Sequence, residues 1–188
     1  MPVTVSVTTW PFVVFAAFWA ITWLLTKKTV EKQKWSSVRV LYWIFGLTGV
    51  LLFFLSGLPI INMPLFKSSL ASQSFGLLVE VLGLCFAIWA RVTLGGNWSS
   101  AVTFKEKHEL ITRGPYGLVR HPIYTGVLAM FLGAAICLGA LAGVLGVLFI
   151  FLSFLLKSRQ EERLLTKHFQ KEYANYKRTT KALIPFIY

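Results

Sequence analysis

The sequence predicts an all-α, polytopic integral membrane protein, and three observations lead to that class. Hydrophobic residues make up 56% of the chain and the mean hydropathy is +0.66, whereas a typical soluble domain is ~45–50% apolar. These apolar residues occur in long blocks that contain almost no charge. The basic residues, which give a net charge of +12, are concentrated on one side of the blocks.

About five apolar segments are candidates for membrane helices. They cover residues 10–25, 38–61, 69–90, 123–140 and 141–156. A helix needs ~20 apolar residues to cross a bilayer, so the last two segments are short. They form either two spans joined by a tight hairpin or one broken, re-entrant unit, and the hairpin is the favoured interpretation. We expect residues 1–188 to form a single membrane domain.

The charge distribution predicts the topology. Basic residues lie between the first and second segments, between the third and fourth, and after the fifth, while Lys67 lies on the other side. Under the positive-inside rule, this places the N-terminus outside and the C-terminus in the cytoplasm. The basic excess is then expected to contact anionic membrane lipids, not nucleic acid. The oligomeric state is not predicted.

The polar material is predicted to gather at the cytoplasmic ends of the third, fourth and fifth segments. A loop covering residues 91–119 precedes the fourth segment, and a charged tail helix over residues 157–177 follows the fifth. Apolar side chains recur along that tail at helical spacing, and they are Leu164, Leu165, Phe169, Tyr173 and Tyr176.

The turn that opens the fourth segment is the strongest candidate for chemistry. Pro122 suits the first turn of a helix and holds His121 outside it. His121 then lies beside the unpaired amides of a helix start, where anions are favoured, and Arg120 adds a full charge. The turn is either a receptor for a small carboxylate or phosphate, or a helix start within an interfacial Arg and Tyr belt.

Acidic residues supply two further candidates. Glu161 and Glu162 either balance neighbouring bases or present one carboxylate to a ligand, because adjacent helical residues point about 100° apart. Glu80 lies inside the third segment, where an acid is a functional hypothesis by default. No metal site is expected, since His108 and His121 lack zinc-ligand spacing, and neither a dinucleotide-binding fingerprint nor a nucleophile motif is found.

An ordered set of motifs resembles the isoprenylcysteine carboxyl methyltransferase family and its phospholipid methyltransferase relatives. Its elements are His108-x-Leu110-Ile111-x-x-Gly114-x-Tyr116, then Arg120-His121-Pro122-x-Tyr124, then Glu161-Glu162, with Gly96-Asn97-Trp98-Ser99 typical of prokaryotic members. The resemblance implies a membrane enzyme that uses S-adenosylmethionine (SAM), bound within about residues 91–182. The cofactor-binding residues that it implies are His108, Leu110, Ile111, Tyr116, His121, Pro122, Tyr124 and Glu161.

The resemblance also implies a lipophilic small-molecule acceptor, with an isoprenylcysteine-like carboxylate as one candidate. Lys157 stands where eukaryotic members have an arginine that orients the substrate carboxylate. Lys157 and Arg120 are the predicted catalytic residues. Two alternatives remain. Sterol-type membrane reductases that use NADPH share the Arg-His-Pro-x-Tyr turn, and a small transporter or scaffold would give Glu80 a role.

Overall fold

The computed structural model describes residues 5–32, 36–58, 63–99, 103–106, 109–185 and 187. Within these residues the chain forms five α-helices, two short β-strands and two 3-10 turns. The helices are α1 (Val5–Trp23), α2 (Ser37–Leu55), α3 (Leu70–Leu94), α4 (Pro122–Leu138) and α5 (Leu141–Thr179). The strands are β1 (Thr29–Lys32) and β2 (Thr103–Lys105), and the 3-10 turns cover Gly95–Asn97 and Gly114–Gly117.

Each predicted apolar segment overlaps one of these helices. Three helices in the described part of the chain are long and apolar enough to cross a membrane, and they are α2, α5, and α3 with its following 3-10 turn. Helices α1 and α4 include shorter apolar stretches. The second segment was predicted to continue to residue 61, but α2 ends at Leu55 and a turn containing Gly57 follows; residues 59–62 lie outside the described residues. The chain is mostly helical, as predicted, and the two short strands β1 and β2, which were not predicted as a pair, pair antiparallel.

The last two apolar segments form two helices joined by a two-residue connection. Gly139 ends α4 in the left-handed conformation, with φ of 63°, and Ala140 precedes α5. A left-handed residue at this position is favourable for glycine because it has no Cβ. Backbone hydrogen bonds from Leu65 to Gly139 and from Leu141 to Met63 attach the preceding loop to this connection. The two segments therefore form a helical hairpin, in which α4 is the shorter helix.

The helices run up and down, so the bundle has two ends. We call the end that holds the last residues of α1 and α3 and the first residues of α4 the site end, and the other the opposite end. Helix α3 packs along α4, and α2 packs along α5. Between these pairs lies a core of buried apolar side chains, which are Phe53, Phe131, Ala134, Ala135 and Ile150.

Helix α5 continues past its apolar segment, as the tail prediction required. At 39 residues it is the longest of the described helices, and it extends past the apolar residues 141–156. Gln170 interrupts it with φ of 41° and ψ of −113°, so the last turns change direction. After the bend, Tyr173 and Tyr176 are buried, and residues 181–182 accept backbone hydrogen bonds from Arg120 and His121. The tail thereby returns to the turn that begins α4.

Candidate functional site

The turn before α4 presents the His121 side chain to α5. Pro122 is the first residue of α4, and its ring suits the first helical position because no backbone donor is needed there. His121 caps the helix with φ of −123° and ψ of 60°, and its side chain makes no capping hydrogen bond. The His121 amide donates instead to the carbonyl of Ala182 at 3.0 Å. The imidazole is therefore available to the two carboxylates of the tail helix.

His121 lies between Glu161 and Glu162. Its Nδ1 is 3.4 Å from Oε2 of Glu161, and its Nε2 is 3.3 Å from Oε1 of Glu162. Burial on its own would lower the pKa of His121, but the hydrogen bonds and charges of the two carboxylates outweigh burial, so its pKa is raised. The arrangement favours an imidazolium that holds the start of α4 to α5.

Glu162 belongs to a buried ion-pair cluster. Its Oε1 is 2.7 Å from a terminal guanidinium nitrogen of Arg120, and its Oε2 is 3.1 Å from Nζ of Lys177. Burial opposes the charged form, yet His121 and Arg120 lower the pKa of Glu162 to about 2. Arg120 also donates to the carbonyl of Thr180. This cluster holds the tail against the α4 turn, and each nitrogen of the Arg120 guanidinium has a partner in it.

Glu161 points the other way, toward a cavity. Its Oε1 accepts a 2.5 Å hydrogen bond from the Tyr124 hydroxyl, and its side chain is 21% exposed. Burial would raise the pKa of Glu161, but His121, Lys157 and Tyr124 outweigh it, so the pKa is lowered. Nζ of Lys157 lies 5.2 Å from the centre of the Tyr124 ring. The result is an ionised carboxylate at the cavity wall with acceptor capacity to spare.

The cavity lies between the ends of α3, α4 and α5 and the strand β2. Its empty space is about 710 Å³, counting its open mouth. The Oγ1 atom of Thr103 is buried and has no hydrogen-bond partner among the described residues. The lining residues are Leu94, Asn97, Trp98, Ser99, Thr103, Tyr116, Arg120, His121, Ile123, Tyr124, Glu161, Leu164 and Leu165.

The predicted site residues divide into several groups in space. Five line the cavity: Tyr116, Arg120, His121, Tyr124 and Glu161. Pro122 is buried and begins α4, while Lys157 contacts the Tyr124 ring but is not part of the lining. Leu110 and Ile111 are half-buried in the loop before the 3-10 turn and do not line the cavity. His108 lies outside the described residues.

Several lining residues are not among the predicted site residues. Leu94, Thr103 and Ile123 carry no motif of their own, and only the packing of their elements brings them to the cavity. Trp98 and Ser99 belong to the Gly96-Asn97-Trp98-Ser99 motif, and that motif was the available signal. Leu164 and Leu165 fall on the apolar stripe of the tail helix, which indicated a buried face without indicating what it covers.

Glu80 is separate from this cavity. It is fully buried where α3 meets α4, and neither carboxylate oxygen has a hydrogen-bond partner among the described residues. A Cβ at Gly133 of α4 would collide with the Glu80 backbone. The structure therefore places Glu80 within a tight helix interface and away from the other candidate residues.

Comparison with known proteins gives concordant matches. Residues 71–172, more than half of the chain, match the family model for phospholipid methyltransferases. Protein-S-isoprenylcysteine O-methyltransferase of Schizosaccharomyces pombe is 32% identical over 159 residues, which cover 78% of this chain and 67% of that protein. The mouse protein of the same name is 33% identical over 115 residues, which cover 60% of this chain. The chain matches only 41% of the length of that mouse protein.

A solved structure agrees with the sequence matches. The eukaryotic intramembrane Ras methyltransferase, isoprenylcysteine carboxyl methyltransferase, superposes with a TM-score of 0.57 at 25% sequence identity. The match covers 78% of this chain and 52% of that chain. Together with the apolar helices, it identifies an integral membrane protein. The chain therefore belongs to the phospholipid methyltransferase family, together with the isoprenylcysteine O-methyltransferases.

Proposed function

We propose that this protein is a SAM-dependent membrane methyltransferase that methylates the carboxylate of a lipophilic, isoprenylcysteine-like acceptor. The observation that carries the proposal is the cavity at the site end, where an ionised Glu161 and an apolar wall face the same space. SAM, when bound, supplies the methyl group together with its own leaving group. The protein must hold the cofactor and align an acceptor with it.

The residues around the cavity fit a nucleoside-bearing cation. Glu161 has lone pairs free to accept hydrogen bonds from hydroxyl or amino groups, and its charge complements a sulfonium. The unpartnered hydroxyl of Thr103 is available to a polar ligand atom, and the rings of Trp98 and Tyr116 provide aromatic surface. We assign cofactor binding to the residues just named and to His121 and Tyr124. All of them fall within about residues 91–182.

Lys157 and Arg120 then take different roles. Lys157 is held by the Tyr124 ring, one helical turn before Glu161 on α5, and we assign it to orient the acceptor carboxylate. Arg120 donates to Glu162 and to Thr180, so we assign it to hold the tail against α4. A carboxylate acceptor is already ionised at neutral pH, so the reaction requires no general base. The apolar part of the acceptor would lie among the lipid-facing helices.

Titration of detergent-solubilised protein with S-adenosylhomocysteine tests the cofactor assignment. We expect Glu161→Gln to weaken binding by about 10–100-fold, the loss expected when charged hydrogen bonds are removed. Glu80→Gln is the matched control, since Glu80 is also a buried carboxylate but does not line the cavity. Equal affinity in wild-type and Glu161→Gln protein would contradict the assignment, and stabilisation by NADPH alone would favour a reductase.

Methyl transfer from labelled SAM tests the acceptor assignment. A prenylated cysteine with a free carboxylate should be labelled, whereas the same compound with its carboxylate blocked as an amide should not. Lys157→Met should raise the KM for the acceptor and leave affinity for S-adenosylhomocysteine close to that of wild type. Labelling of a lipid amine in place of the free carboxylate would overturn the acceptor class and leave the methyltransferase assignment standing.

A further inference from the structure

We propose that Arg91 is a positioning residue that fixes Trp98 as a wall of the cavity. Arg91 lies in the last turn of α3, and its residue exposure is only 2%. It forms no ion pair with an acidic residue in the part of the chain that the structure describes. A buried guanidinium without a carboxylate is costly unless other groups satisfy it, so its partners indicate what it does.

Two backbone carbonyls and one aromatic ring contact the guanidinium, and its buried Nε has no hydrogen-bond partner among the described residues. Its terminal nitrogens donate to the carbonyl of Gly95 at 2.7 Å and to the carbonyl of Thr22 in α1 at 2.6 Å. Its central carbon lies 4.8 Å from the centre of the Trp98 ring. A desolvated cation over an indole face is among the stronger contacts of this kind. Arg91 therefore joins α1 and the end of α3 to a side chain that lines the cavity.

The neighbouring contacts hold the same short segment in place. Lys27 donates its backbone amide to the carbonyl of Gly96 at 2.9 Å, and its Nζ donates to Oδ1 of Asn97 at 3.0 Å. The Trp98 ring also forms a T-shaped pair with Trp19 from α1, with ring centres 6.5 Å apart. The segment that supplies Asn97 and Trp98 to the cavity is thus held by α1 and by the residues that follow it.

This arrangement gives α1 a part in ligand binding although it contributes no lining residue. Thr22 and Trp19 precede residues 71–172, the part of the chain that matches the family model. If Trp98 forms one face of the cofactor site, loss of Arg91 should leave the ring free to turn and should reduce affinity. The inference rests on the proposed cofactor, and its prediction concerns coupling between Arg91 and Trp98.

A double-mutant cycle on the full chain measures that coupling. S-adenosylhomocysteine binding is titrated calorimetrically for wild type, Arg91→Met, Trp98→Leu and the double variant. Arg91→Met should weaken binding by about 10–30-fold, up to the strength of a desolvated cation–π contact. In the Trp98→Leu background, the same substitution should have little effect, because the group that it positions is already absent. Arg91→Lys should retain part of the affinity.

The controls separate positioning from a general loss of stability. Ser56→Ala removes the hydrogen bond of a buried side chain at the opposite end of the bundle, and it should lower the thermal midpoint without changing affinity. If Arg91→Met does not fold, the cycle is run with Arg91→Lys. Independent, multiplicative losses for the Arg91 and Trp98 substitutions, or wild-type affinity in the Arg91 variants, would overturn the inference. Failure of wild-type protein to bind would refute both the cofactor and the inference.

Discussion

Glu161 and Glu162 show how adjacent residues on one helix acquire different tasks. Their side chains point about 100° apart, so Glu161 faces the cavity while Glu162 faces Arg120 and Lys177. His121 contacts both carboxylates and so links the cavity wall to the ion pairs of Glu162. One residue is thus assigned to the ligand and the other to holding the tail.

The role of Glu162 predicts a stability change at acidic pH. Its folded-state pKa of about 2 lies below the ordinary value, so its contribution is present above pH ~4.3 and is lost as the pH falls toward about 2. At one pKa unit per ~1.4 kcal/mol, the contribution is up to about 3 kcal/mol. The thermal midpoint of wild type should therefore exceed that of Glu162→Gln at neutral pH, and the gap should close on acidification.

Thermal unfolding in detergent between neutral pH and pH ~3 measures this gap. Glu172→Gln is the matched control, because Glu172 is exposed on the same helix and makes no ion pair among the described residues. It should follow the wild-type curve throughout. A constant difference between wild type and Glu162→Gln across this pH range would show that the cluster does not depend on the charge of Glu162.

At this scale, the sequence predicted the polar centre better than the walls. Pro122 indicated where α4 begins, and the charge pattern put the tail helix at the same end. The choice of Glu161 over Glu162 came from the family resemblance, and His121 contacts both carboxylates. Thr103 and Leu94 have no such local signal, since they reach the cavity through the pairing of β1 with β2 and the end of α3. Leu110 and Ile111 matched a motif, but they are not among the residues that line the cavity.

Among the elements, α5 combines a membrane helix with a bent tail. Gln170 has φ of 41°, a conformation that costs a non-glycine residue about 1–3 kcal/mol. The bend follows the ion pairs of Lys167 and His168 with Glu31 of β1 and precedes the buried Tyr173. Hydrophobic spacing predicted the helix but not the bend, because the residues on both sides continue the helical pattern.

The strained residue predicts that Gln170→Gly stabilises the protein. Glycine adopts positive φ without the Cβ penalty, and part of that gain is offset by the greater freedom of glycine in the unfolded chain. A net gain of about 1 kcal/mol should raise the thermal midpoint by about 2–4 °C. Lys171→Gly is the matched control, since Lys171 is equally exposed in the next, regular helical position and should lose stability. If both substitutions lower the thermal midpoint, the positive φ of Gln170 is contradicted.

The pairing of α3 with α4 depends on glycines spaced seven residues apart. Gly76 and Gly83 of α3 lie against Gly133 and Gly126 of α4, and a Cβ at any of the four would collide with the facing backbone. Such close approach is typical of helix pairs in membranes, where small residues allow extensive van der Waals contact. The hydrophobic pattern identified both helices, but it did not indicate that these faces meet.

This contact predicts that Gly133→Ala is strongly destabilising. The added methyl would meet the backbone of Gly76 and Glu80. Neither backbone segment can move without separating the helices, so we expect the free energy of unfolding to fall by about 1–3 kcal/mol or more. Gly57→Ala is the control, because its Cβ would have the Phe54 carbonyl as nearest neighbour at 3.8 Å. Thermal unfolding of both variants measures the difference, and similar midpoints would refute the tight interface.

For the whole molecule, the distribution of charge and the location of the cavity lead to the same orientation. The candidate residues of the cavity and the basic tail lie at the site end, whereas the loop containing Lys67 is attached to the connection between α4 and α5 at the opposite end. The positive-inside rule assigns the more basic end to the cytoplasm. We therefore predict that the cavity opens toward the cytoplasm, where SAM is available.

Cysteine labelling in intact cells tests this orientation. In a background where Cys85 and Cys137 are replaced by alanine, Lys67→Cys and Arg163→Cys each place one thiol at an exposed position, at the opposite end and the site end respectively. A membrane-impermeant maleimide should label Lys67→Cys in intact cells, and it should label Arg163→Cys only after the membrane is permeabilised. Each substitution removes one positive charge and leaves the basic excess at the site end, so neither should change the orientation. Labelling of Arg163→Cys in intact cells would place the cavity on the outer face and would separate it from the cytoplasmic cofactor pool.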